Sequence, residues 1–406
     1  MNNLLDFISP RLEPEEVLKE LTFIPPVPDV DEKTKSERLS LLQTIYQLFV
    51  PTKMVIETYY KLYEALVRAF QKKQLDFISK QHVENYKGIT GKEFCGVIGG
   101  ADSISIIGQS GTGKTASISR IASLLTKQDV IEFVKPYKAT IVPLLIVNCP
   151  FDCSVKTLMV EIMRLVDAKI GTNYYAGTVK ATATTGMLIA SASNILLNHV
   201  GVLVIDEIQN VIKSKNGFNL IGALTQLVNS CGVSIVMVAN PEVKPFFEQD
   251  LKLARRAIGL EFKPMGYDGE FTKLVRTLFK FQYTLNKVKL SEELLQMIYE
   301  GTNGIPALIV SLIHDAQEKA IIDGSEAINI STLESVLSDR YGIILPSTKK
   351  SIRKPIRRQS DHISSTNTTS NEVIDDEFFE NAIRYAKKNN IDIVKHLQSQ
   401  IEVIEL

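Results

Sequence analysis

Residues 103–115 read SISIIGQSGTGKT, and residues 200–210 read VGVLVIDEIQN. In the first stretch a short run rich in isoleucine leads straight into Gly108, Gln109, Ser110, Gly111, Thr112, Gly113, Lys114 and Thr115. These eight residues match G-x-x-x-x-G-K-[ST], and a helix-compatible stretch follows them, which is the setting a phosphate-binding loop requires. Its glycines let backbone N–H groups curl around β- and γ-phosphates, and the helix behind presents its positive N-terminus to them. Lys114 would bridge β- and γ-phosphate oxygens, and the Thr115 hydroxyl would ligate Mg²⁺. The second stretch ends an apolar run in Asp206 and Glu207. That places two carboxylates at the C-terminal edge of a buried strand, where open α/β sheets bind ligands. Asp206 would hold the same Mg²⁺, and Glu207 would orient and polarise the attacking water.

Two further strand-end features extend this reading. Asn240 closes VSIVMVAN and could hydrogen-bond the water or the γ-phosphate; before Pro241 it could equally be a turn-forming residue. Arg255 and Arg256 precede the run GLEFKPM. Either could reach the γ-phosphate of a neighbouring subunit, or the pair could simply favour a helix C-terminus.

Around these motifs SISII, TIVPLLIVNC, VGVLVIDEI and VSIVMVAN are continuous apolar runs of strand length. Such runs indicate strands buried on both faces of a parallel sheet. Helical patterns at 115–126, 154–168, 186–198 and 218–229 separate them. The fold class is therefore α/β, with right-handed crossovers. Beyond Tyr267 the pattern turns helical through 268–342, a small bundle read as a lid. Ahead of the core, 52–73 is an amphipathic helix with Val55, Tyr59, Leu62, Leu66 and Phe70 on one face. The proline- and charge-rich stretch 23–37 reads as an extended arm, with little regular pattern before Ser36. The expected organisation is an N-terminal arm and helical extension (1–98), an α/β core with the phosphate-binding loop (99–266), a helical lid (267–345), a flexible linker (346–376) and a short helical module (377–406).

The 406 residues, 45% hydrophobic and 23% charged, carry 46 basic and 46 acidic side chains. The balance argues against a globally basic trap for polyanions, and the composition excludes collagen-like, coiled-coil and wholly disordered chains. No apolar run approaches the ~20 residues of a membrane helix, and the N-terminus lacks a basic n-region and an h-region. Four cysteines form no disulfide framework, so a reducing cytoplasm is expected; Cys149 and Cys153 find no nearby pair to complete a zinc set.

With GQSGTGKT, VLVIDE, Asn240, the Arg255-Arg256 pair and the helical lid, residues from about 100 to 340 resemble an AAA+ ATPase. Within that superfamily the chain is similar to the TnsC/TniB group of transposition regulators. The stretches FVPTKMVIETYYKLYEAL, ADSISIIGQSGTGKT and NCPFDCSVKTLMVEIM carry this second likeness. The resemblance implies a bacterial cytoplasmic, ATP- and Mg²⁺-dependent protein that oligomerises as a ring or filament on double-stranded DNA. It further implies partners in a target-selection protein and in transposase subunits engaged by the C-terminal tail. One departure is that TNGIPALIVSLI, in the lid, offers no second-sensor arginine, so slow hydrolysis is expected.

For the DNA, Lys169 and Lys180 are the only charged side chains between Asp167 and Asp206. Together with Thr172 and Thr184 they make a candidate loop for tracking phosphates; the alternative is a polar connection between two helices. Two competing functional readings are a replication-initiator or helicase-loader ATPase, and a nucleotide-switched signalling protein of the STAND type. The first would carry a winged helix after the lid, and the second a repeat array.

Overall fold

The computed structural model describes residues 4–27, 29–73, 75–89, 103–133, 139–152, 154–179, 182–210, 217–244 and 257–341. Six strands form one sheet: β1 (Ser103–Gly108), β2 (Ile131–Phe133), β3 (Ala139–Asn148), β4 (Val200–Asp206), β5 (Ser234–Ala239) and β6 (Ala257–Phe262). Their spatial order is β2-β3-β4-β5-β1-β6. The pairs β3–β4, β4–β5, β5–β1 and β1–β6 are parallel, whereas the short edge strand β2, which the sequence reading missed, runs antiparallel to β3. The parallel strands lack a hydrophobic/polar alternation because both faces are covered. Leu203, Ile205, Ile235 and Met237 join the core on one face, while Val202, Val204, Val236 and Val238 join the core on the other.

Four helices precede the sheet: α1 (Pro14–Leu21), α2 (Lys35–Leu42), α3 (Lys53–Lys72) and α4 (Leu75–Ile89). Among the described residues, α5 (Lys114–Leu125), α6 (Val155–Ile170), α7 (Tyr174–Thr178), α8 (Thr185–His199) and α9 (Gly217–Cys231) accompany it. The lid contains α10 (Gly269–Leu278), α11 (Glu292–Thr302), α12 (Pro306–Asp323) and α13 (Ile330–Val336). One sheet face is covered by α6, α8 and α9 and the other by α3 and α5. The apolar stripe of α3 read from its spacing, Val55 to Phe70, lies wholly in the second core. Local signals set the lid helix ends. Ser291 caps α11, Pro306 opens α12, and Asn303 and Gly324 close α11 and α12 in the left-handed conformation.

The stretch before Ser36 is more regular than its sequence pattern suggests, while a helix at Lys35–Leu42 follows it. Pro14 opens α1, and the Glu16 carboxylate accepts the Glu13 N–H at 2.9 Å. Residues Leu4, Val17 and Leu21 pack into the α3–α5 core, and Ser9 N–H donates to Leu125 O at the end of α5. The following residues cross to the lid. Val30, Leu42, Ile45 and Leu48 are buried among lid side chains, and Arg38 makes a bidentate pair with Glu326 at 2.6 and 2.7 Å. Phe23 and Phe49 exchange backbone hydrogen bonds at the crossing, where the Arg120 guanidinium from α5 lies over both rings. The segment is thus a strap fastened to core and lid.

Candidate nucleotide-binding site

The loop between β1 and α5 is shaped by its glycines for two different reasons. Gly113 is the N-cap of α5 at φ +90°, so no side chain caps the helix and its first N–H groups face the loop. Gly108 is required by packing instead: a Cβ there would lie 2.4 Å from Phe262 O on the adjoining strand. The motif alone had suggested a single role for both.

Lys114 is buried at the start of α5 and donates to Gly108 O (2.6 Å), Gln109 O (2.9 Å) and Asn240 Oδ1 (3.3 Å). Burial pushes its pKa below the ordinary lysine value, against the opposing pull of the Asp206 and Glu207 carboxylates. Thr115 Oγ1 donates to Asp206 Oδ2 at 2.5 Å. The other Asp206 oxygen, Oδ1, accepts the Glu207 N–H at 2.8 Å. Parallel pairing explains the convergence, because β1, β4 and β5 all end at one edge and deliver the loop, Asp206 and Asn240 there. Glu207 leaves β4 with φ +58°, a left-handed conformation that costs a non-glycine residue energy and turns its exposed side chain out of the strand.

Sequence reasoning missed Gln209. It is buried, its Nε2 donates to Glu207 Oε2, and its Oε1 accepts the Asn240 N–H at 3.2 Å. A glutamine two residues after an acidic pair carries no charge or spacing signal, and its partner Asn240 is 31 residues away. The lid meets the loop through backbone: Ala307 N–H, in the first turn of α12, donates to Gly111 O at 3.1 Å.

The donor set fits a nucleoside triphosphate with Mg²⁺. Uncapped helix N–H groups and one lysine suit the phosphates, and a hydroxyl beside a carboxylate supplies the oxygen ligands a hard cation takes. Gly108 to Thr115, Asp206, Glu207 and Asn240 lie together at one sheet edge, whereas Arg255 and Arg256 lie outside the described residues.

Among the described candidate DNA residues, Lys169 and Thr172 do not lie beside Thr184. Tyr174 OH and the His199 ring are hydrogen-bonded at 2.7 Å, and His199 immediately precedes β4. Lys169, Thr172 and Tyr174 thus sit at the sheet edge opposite the phosphate loop. Thr184 caps the other end of α8, about 22 Å away along a 15-residue helix. Lys169 is exposed, Thr172 donates its hydroxyl proton to Asp167 Oδ1 at 2.6 Å, and Thr184 Oγ1 accepts the Met187 N–H. Lys180 and Cys153 lie outside the described residues, as do the expected linker (346–376) and C-terminal segment (377–406).

A parallel α/β sheet with a glycine loop feeding a helix and an acidic pair on a central strand defines a P-loop nucleoside-triphosphatase domain. Residues 98–247 match the family model described as AAA domain, so the chain carries an AAA-type P-loop ATPase domain, and such a domain implies nucleotide binding. Among solved structures the chain is similar to the Aeropyrum pernix ORC1 protein in complex with DNA, at 17% identity and TM-score 0.44, covering 68% of this chain and 69% of that one. It is also similar to Drosophila ORC bound to DNA, at 13% identity and TM-score 0.46, covering 97% and 87%. A third is Cdc6p from Pyrobaculum aerophilum, at 15% identity and TM-score 0.40, covering 61% and 63%. No curated protein matches the chain. Among the described residues no helix is long and apolar enough to cross a membrane.

Proposed function

We propose that this chain is an ATP-hydrolysing regulator of DNA transposition, which assembles as a ring or helical oligomer on double-stranded DNA and links a target-selection protein to the transposase. The observation that carries the ATPase part is the hydrogen-bonded constellation at the sheet edge. Lys114 touches Asn240, and Thr115 touches Asp206, so the phosphate loop and the acidic strand already form one site. In this reading Lys114 and the loop N–H groups bind the phosphates of ATP. Thr115 and Asp206 would hold Mg²⁺, which would supply charge neutralisation at the phosphates. Glu207 positions the attacking water, and Asn240 senses the γ-phosphate.

Arg255 or Arg256 acts on a neighbouring copy's nucleotide, and the tail beyond residue 346 engages the transposase. Turnover is slow, because in 302–313 the lid offers no arginine to the nucleotide. The transposition assignment rests on the sequence likeness of the pre-core helix and of CPFDCSVKTL. DNA affinity comes from weak contacts at Lys169, Thr172, Lys180 and Thr184, repeated along an oligomer. In this reading Thr172 and Thr184, at opposite ends of α8, touch the duplex at separate places. Cosedimentation with duplex DNA across a salt titration tests this, with ATP analogue or ADP present. Lys169→Ala with Lys180→Ala is expected to weaken ATP-dependent binding and flatten its salt slope. Unchanged affinity in the double variant, or equal binding with ADP, contradicts the reading.

A further inference from the structure

We infer that Gln209 is the positioning residue that holds Glu207 in its working orientation and couples it to nucleotide at Lys114; this rests on the hydrolytic reading of the site. Gln209 is 5% exposed, and its amide is used at both ends. Nε2 donates to Glu207 Oε2 and Oε1 accepts the Asn240 N–H, and only one orientation of the amide satisfies both. Glu207 is exposed, so water alone could have solvated its carboxylate. The bond therefore does not serve to satisfy a buried acid. Its consequence is directional: it fixes a side chain that leaves a left-handed backbone position and would otherwise sample several rotamers.

With Oε2 held by Gln209, the oxygen left to meet water is Oε1. In hydrolysis the water oxygen bonds to the γ-phosphorus as the bond to the β–γ bridging oxygen breaks, and the water proton passes to Glu207. ADP carries away the electron pair of the broken bond. The same glutamine closes a path from the phosphate loop. Lys114 Nζ donates to Asn240 Oδ1, Asn240 N–H donates to Gln209, and Gln209 donates to Glu207. When phosphate oxygens draw Lys114 off Asn240, the change reaches the carboxylate through two residues. The turn around it is otherwise fixed, since Ile208 N–H donates to Val238 O and Asn210 N–H to Glu207 O.

Two substitutions separate positioning from mere structural support. Gln209→Met keeps the volume and removes both hydrogen bonds. Gln209→Glu keeps an acceptor for the Asn240 N–H but sets a like charge against Glu207. Full-length protein is assayed for MgATP affinity by fluorescent-nucleotide titration and for kcat and KM at steady state. Both variants are expected to bind within about threefold of wild type while kcat falls roughly 10- to 100-fold at nearly constant KM. If Gln209 only satisfied the Asn240 N–H, Gln209→Glu would retain wild-type kcat, and that result overturns the inference even where Gln209→Met fails to fold. Wild-type protein that binds MgATP but does not turn it over overturns the hydrolytic reading, and this inference with it. Active wild type with undiminished variants overturns the inference alone.

Discussion

Lys73, at the C-terminal end of α3, is buried with its ammonium donating to Leu196 O at 3.1 Å and to Leu197 O. Burial lowers its pKa from the ordinary 10.5 to about 7, and the Cys231 thiol beside it is pushed from 9.0 up to about 11. These two groups make stability depend on pH with opposite signs. Between pH 7 and 10.5 the unfolded lysine holds a proton that the folded one has lost, so stability rises with pH. Between pH 9 and 11 the folded thiol holds a proton that the unfolded one has lost, so stability falls. The sum rises from pH 7 to about 9 and is level from there to about 10.5. At ~1.4 kcal/mol for each tenfold change in proton affinity, the lysine's displacement corresponds to roughly 5 kcal/mol. Lys73→Met removes that pH-dependent cost but leaves the two helix-end carbonyls without the ammonium, which returns about 1–3 kcal/mol of destabilisation for each. The slope is therefore the sharper readout. Urea unfolding at pH 7.0, 7.5, 8.0 and 8.5 is expected to show wild-type stability climbing by up to ~1.4 kcal/mol per pH unit more steeply than Lys73→Met. His199, whose pKa burial and the Lys73 charge lower, titrates below this window. Parallel pH profiles for the two proteins refute the reasoning.

Lys114→Ala is expected to weaken ATP binding by about 100-fold, the worth of a charge-assisted contact, in a fluorescent-nucleotide titration. Arg38→Ala strands the Glu326 carboxylate and should cost about 3 kcal/mol in urea unfolding, with earlier proteolysis in the 23–49 strap. The Arg38 guanidinium holds Glu326 below the ordinary carboxylate pKa, so the pair stabilises the fold above the unfolded value, and this contribution fades as pH falls through the folded one. The variant should lack that acid-side loss. Gly108→Ala drives a Cβ against the Phe262 carbonyl and should lower the thermal midpoint by an amount equivalent to about 1–3 kcal/mol.

The central parallel strands were legible because they are continuous apolar runs that need no partner to be recognised, and the phosphate loop because its eight residues form a contiguous pattern; the three-residue edge strand β2 has no such run. Asp206 and Glu207 were found for the same reason, as neighbours at a strand end. The strap was not legible. Arg38 pairs with Glu326, 288 residues away, and nothing in 23–37 announces that Val30 is buried beneath the lid. Gln209 was missed because its role arises only when the parallel β4–β5 pairing brings Asn240 alongside it. The candidate DNA loop was read as one patch because its residues are close in sequence. The tertiary bond from Tyr174 to His199 sets neighbouring Thr172 at the end of α8 opposite Thr184.

In the proposed function one site, built by the β1 loop and the β4 acidic end, both binds and hydrolyses ATP. Phosphate release and MgATP affinity, measured side by side for wild type and Glu207→Gln, check this. Slow but measurable release by wild type is expected, at least ~100-fold less from Glu207→Gln, with equal MgATP affinity in the two. Equal release rates, or loss of nucleotide binding in Glu207→Gln, would contradict it.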